Sequence, residues 1–175
     1  MPADDPLELA LTDLREGNFS KLAPHFASRS ELGDVTQIDD WLDRGRFAVH
    51  APELDEALTC AAFLGATATV RRLLEAGVAE AGGGRSGQHA LHCAASRGQV
   101  ETVRLLLRHG APLELRNMYG GTALAQTVWS ALHQPLPGQH DAAEELLRAG
   151  ADPATVPTPT GDPRLDALLS VHRRR

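Results

Sequence analysis

The stretch GQHALHCAASRGQVETVRLLLRHGA, from Gly87 to Ala111, decides the fold. It reads as two short helices joined by a tight turn. Ala90, Leu91, Ala94 and Ala95 give the first helix an apolar face, and Gly98 ends it. Val100, Val103, Leu106 and Leu107 place an apolar stripe at helical spacing on the second. Gly110 closes the unit where a helix terminus calls for a left-handed residue. One such hairpin cannot bury both its faces, so it needs neighbours.

The neighbours emerge when the second helix is aligned on its flanking glycines, which sit twelve positions apart. GQVETVRLLLRHG (Gly98 to Gly110) matches GATATVRRLLEAG (Gly65 to Gly77), GDVTQIDDWLDRG (Gly33 to Gly45) and GQHDAAEELLRAG (Gly138 to Gly150). An apolar pair recurs before the closing glycine, as Trp41-Leu42, Leu73-Leu74, Leu106-Leu107 and Leu146-Leu147. Successive units are offset by 32, 33 and 40 residues. The first helices repeat as well: His89-Ala90-Leu91-His92 with Ala94-Ala95, Glu56-Ala57-Leu58-Thr59 with Ala61-Ala62, and Thr122-Ala123-Leu124-Ala125.

In period and in these residues the units resemble ankyrin repeats, which recur about every 33 residues. The family's first helix usually opens Thr-Pro-Leu-His. Here proline is absent from that position in every unit, and only Thr122 keeps the threonine. The Gly-Ala-Asp signature after the second helix survives as Gly150-Ala151-Asp152 and in part as Gly110-Ala111-Pro112. The resemblance covers roughly Gly33 to Leu169. It implies an all-α solenoid of stacked helix-turn-helix units with short hairpin-like connecting turns.

The expected division is a helical cap or degenerate repeat over 1–32, a partial repeat over 33–55, and repeats over 56–86, 87–119 and 120–152. A C-terminal cap helix and basic tail fill 153–175. In the cap, Leu7, Leu11 and Leu14 share one side of a helix over Pro6–Glu16, and Phe19, Leu22, Phe26 and Leu32 contact the first repeat. Residues 46–55 read as a connecting turn, as do 78–88, with the pliable Gly82-Gly83-Gly84. The turn over Pro112–Gly121 puts Met118 and Tyr119 at a hairpin tip. The 40-residue unit carries an insertion near 131–137, where extra residues in a solenoid map to one face.

Aromatic residues make up only 4% of the chain, so Leu, Ala and Val must form the core. The net charge of −6 is uneven: residues 1–60 carry −8, 61–117 carry +3 and the remainder −1. Arg71, Arg72, Arg104 and Arg108 fall on second helices, and with Asp39, Asp40 and Asp43 they read as a solvated outer face. Such a mild basic segment does not make a nucleic-acid face. No apolar run spans a bilayer, and the opening MPADDPLELAL is acidic where a secretory signal is basic. The expected location is the cytoplasm, in a monomer. Abundant Ala, Leu and Arg with few lysines suits a bacterial high-GC chain. Cys60 and Cys93 occupy equivalent places in adjacent repeats and read as small buried packing residues, not a disulfide.

The eight histidines form no metal-ligand spacing, and no Gly-x-Ser-x-Gly or phosphate-loop sequence occurs. No enzyme, metal or cofactor is expected. The resemblance assigns His92 to tying turn backbone together. It also implies that residues just before the glycine ending each first helix face a concave groove; here these are Phe63-Leu64, Ser96-Arg97 and Trp129-Ser130. With the hairpin tip, the candidate partner-binding residues are Phe63, Leu64, Arg97, Met118, Tyr119 and Trp129. The expected function is a non-catalytic protein–protein interaction module. Its sharper form is a dedicated inhibitor, such as an immunity protein for a basic toxin; the competing form is an adaptor in a larger complex.

Overall fold

A computed structural model describes residues 37–46, 51–79 and 87–173, with isolated positions 9, 12, 13, 21 and 24. But for those positions, the cap expected over 1–32 lies outside the described residues, as does the Gly82–Gly84 turn. Eight α-helices and no strand occur among the described residues: α1 Gln37–Asp43, α2 Ala51–Leu64, α3 Thr67–Glu75, α4 Ala90–Ser96, α5 Val100–Arg108, α6 Ala123–His133, α7 Gln139–Arg148 and α8 Pro163–Arg173. A 3-10 turn at Pro153–Thr155 precedes the last. None of these helices is long and apolar enough to cross a membrane.

The helices stack in two rows. The inner row is α2, α4 and α6; the outer row is α1, α3, α5 and α7, and α8 packs on α7. Alanines let the inner helices approach closely, with Ala57, Ala61, Ala94 and Ala123 all fully buried. Leu58, Leu73, Leu106, Leu124 and Leu146 fill the space between rows and are likewise fully buried. The central helix α4 has no exposed face, since every residue from Ala90 to Ser96 is buried. On α5 the apolar pair is shifted by one from the expected register: Leu105 and Leu106 are buried, and Leu107 is half-buried against the core.

Each full outer helix ends in the same way. Val78, Ala111 and Ala151 donate their N–H groups to the carbonyls of Leu73, Leu106 and Leu146 at 3.1, 3.0 and 3.0 Å. The glycine before each donates three residues back, which completes a Schellman cap and requires a left-handed residue such as Gly110, at φ 84°. That requirement accounts for the closing glycines found in the sequence.

The opening glycines meet a different constraint. A methyl group on Gly98 would lie 2.1 Å from the carbonyl oxygen of Pro137, and one on Gly138 would lie 2.3 Å from that of Gly98. Two backbones thus touch at this seam. The preceding seam is looser, because Gly65 faces the flexible side chain of Gln99. The insertion therefore leaves the glycine register intact. It lengthens α6 to 11 residues against 7 in α4, then turns through Pro135 and Pro137.

Four expectations are corrected by the structure. Residues 51–55 are not turn; α2 begins at Ala51, with Pro52 in the first turn, where a missing N–H costs nothing. Asp39 is not solvated but 1% exposed, and accepts from the Thr69 hydroxyl at 3.3 Å while facing Arg72 at 3.6 Å. Arg72 also pairs with Asp43, and Arg104 bridges Glu101 and Glu145 at 2.6 and 2.8 Å, so these arginines join repeats. Arg173 is not free tail: it donates to the carbonyls of Pro153 and Val156 at 3.1 and 2.7 Å. Leu165 and Leu169 bury the apolar edge of α8 as the cap requires.

Cys60 and Cys93 are free and buried, as small packing residues should be. Burial pushes the Cys93 thiol up to about 12 and raises that of Cys60 further, with their mutual proximity and Glu56 adding to the effect on Cys60. Neither forms a thiolate near neutrality, so neither is a nucleophile.

Candidate functional site

A groove of about 950 Å³ runs along the ends of the inner helices. Its floor and walls come from successive units: Phe63 at the end of α2, Ser96 and Arg97 at the end of α4, Trp129 and Leu132 on α6, and Pro157 and Pro159 beyond the 3-10 turn. Tyr119 overhangs it from the hairpin tip.

The hairpin is held by a short polar network. Asn117 Oδ1 accepts from the N–H groups of Tyr119 and Gly121 at 2.9 and 3.0 Å, and its Nδ2 donates to Gln126 Oε1 at 2.5 Å. His92 supports the same turn from beneath. Its Nε2 lies 3.0 Å from the Gly121 carbonyl, and since a carbonyl only accepts, Nε2 carries the proton. Burial lowers the ring's pKa to about 4, with the nearby His89 adding to the effect and the backbone bond opposing it. His92 is therefore a neutral structural tie at physiological pH, in the role expected of it.

The aromatic side chains above this frame are exposed: Tyr119 is 80% and Trp129 53% accessible. One face of Trp129 is covered by the insertion's His133, the ring centroids lying 4.6 Å apart, and the rest of the ring stays open on the groove wall. Arg97 lays its guanidinium over the Phe63 ring, 4.8 Å from the centroid.

Of the six candidate residues, the groove brings together Phe63, Arg97, Tyr119 and Trp129. Leu64 does not line it; the side chain is half-buried against the core. Met118 is 65% exposed but sits on the far side of the tip, where its N–H donates to the Gly87 carbonyl at 3.0 Å. Sequence reasoning missed Gln126 and Gln139. Gln139 is 1% exposed; its Nε2 donates to the Ser96 carbonyl at 2.6 Å, and its Oε1 accepts from the Leu136 N–H at 2.7 Å. It clamps the insertion to α4. The signal was present in the paired Gly98-Gln99 and Gly138-Gln139 dipeptides, since both glutamines reach back to the preceding turn.

Chemically the groove is built for contact. Among the described residues that line it there is no carboxylate, histidine, cysteine or lysine. No group of three or more potential metal ligands occurs among the described residues. The arrangement offers aromatic faces, one guanidinium and hydrogen-bonding amides.

Comparison with known proteins adds one match. A family model for ankyrin repeats (3 copies) matches residues 25–117 and 58–156. No curated protein matches the chain.

Proposed function

The chain belongs to the ankyrin-repeat family, and from that premise we propose that it binds a segment of another protein in the groove along its inner helix row. Ankyrin repeats are generally protein–protein interaction modules, and the family is typically non-catalytic. The observation that carries the placement is the exposure of Tyr119 and Trp129 beside the Phe63–Arg97 stack. Both rings remain more than half accessible, and exposed aromatic residues with arginine are the usual anchors of interfaces.

The inhibitor form drew on the acidic N-terminal third as an attractor for a basic toxin. Within that third, Asp39 and Asp43 face Arg72 and Asp40 pairs with Arg44, so an attraction of this kind would rest on its other acidic residues. Scaffolding and inhibition then differ only in the partner. The test is capture from the source organism's lysate by wild type and by a Tyr119→Ala/Trp129→Ser variant, both shown to be folded by circular dichroism. Loss of one partner with the variant is the expected result; equal retention would move the site off the groove.

A further inference from the structure

Arg97 is the only charged side chain among the described residues that line the groove. The Phe63 ring lies beneath its guanidinium but removes none of its charge, and among the described residues no carboxylate pairs with it. Arg72, Arg104, Arg148 and Arg164, by contrast, hold carboxylates of their own or adjoining helices. A planar guanidinium that meets no carboxylate among the described residues can take one bidentately.

The position of Arg97 narrows the ligand. Apolar surface lies on both sides of it, Phe63 towards α2 and Trp129, Leu132 and Pro157 towards the C-terminal cap. A bound chain must therefore continue past Arg97 in both directions, which selects a side-chain carboxylate over a terminal one. Neighbouring inner helices stand about 8–10 Å apart, and an extended chain advances about 3.3 Å per residue. One inter-helix step is then about three residues. The net charge of −6 does not oppose this, since residues 61–117 carry +3 and distant charges are screened beyond about 8 Å at physiological salt.

We infer that the groove takes an extended protein segment carrying an internal Asp or Glu that pairs with Arg97, with a large apolar residue about three positions away packed on Trp129. This rests on the groove being the binding site, and the test separates the two.

Random dodecapeptides displayed on phage are selected against the full chain, Arg97→Glu and Trp129→Ala, each verified as folded. Wild type is expected to enrich an acidic residue and an apolar one at that spacing. Arg97→Glu should exchange the acid for Lys or Arg, and Trp129→Ala should lose the apolar preference. The best acidic peptide, measured by fluorescence anisotropy, should bind Arg97→Gln about tenfold more weakly, the scale of a charged hydrogen bond. Peptides that need Trp129 but carry no acid would overturn the inference and leave the groove reading standing. Peptides indifferent to both variants, or no enrichment at all, would overturn both.

Discussion

The outer helix row and the inner groove use their charged groups in opposite ways. Outside, several are consumed between repeats: Asp39 and Asp43 by Arg72, Glu145 by Arg104, Asp141 by Arg164. In the groove, Arg97 meets the Phe63 ring and, among the described residues, no carboxylate, and Tyr119 and Trp129 are more than half exposed. The lesson concerns how to read a surface. A face whose charged groups are satisfied by adjacent repeats is structural even when its composition looks solvated. A face whose aromatic and cationic groups are left over is available to something else.

The contrast can be broken from beneath, where both faces depend on one core. Leu106→Ala removes a fully buried side chain from α5 and should cost about 2–5 kcal/mol, read from urea denaturation. A loss well below that range would mean the two rows do not share a core.

Acid should act on the groove side. His92 is held neutral, with a folded pKa of about 4 against 6.5 for the free side chain, so the unfolded chain takes up its proton first. Its contribution is constant above pH 6.5, falls through the window from 6.5 to 4, and levels off below. By pH 4.5 the loss should reach about 2–3 kcal/mol. Urea midpoints at pH 7 and 4.5 measure it, and His92→Gln should flatten the difference.

The sharpest contrast pairs two single substitutions. Asp39→Ala takes a buried carboxylate from the Thr69 hydroxyl and from Arg72, which keeps Asp43, and should cost about 1–3 kcal/mol. Tyr119→Ala should stay within about 0.5 kcal/mol of wild type, as an exposed residue outside the packing. Thermal unfolding of the two decides it; equal costs would erase the distinction between the faces.

The repeat was legible because its cause is local. A Schellman cap needs glycine at one position and apolar residues at fixed distances before it, and those marks lie within a single helix. Side-chain partners across repeats were not legible. Asp39 looked like its neighbours Asp40 and Asp43, yet only Asp39 is turned inward against Thr69 and Arg72, some thirty residues away. The groove was half legible. Position relative to the helix-ending glycine named Phe63 and Arg97, which line it, and also Leu64, which holds Arg97's place one repeat earlier but is half-buried against the core. Met118 failed similarly, because adjacent residues at a hairpin tip point to opposite sides. The start of α2 was missed because 46–55 read as one connecting turn; its Pro52 is harmless in a helix's first turn.

The touching backbones of Gly98 and Gly138 have a mechanical consequence. A stack of repeats bends by compressing or shearing what lies between its layers, and at this seam nothing soft intervenes. Between Gly65 and Gln99 a pliable amide side chain does. Bending should therefore concentrate at the earlier seam. Arg97 and Trp129, on either side of the stiff one, should then hold their spacing better than Phe63 and Trp129 do.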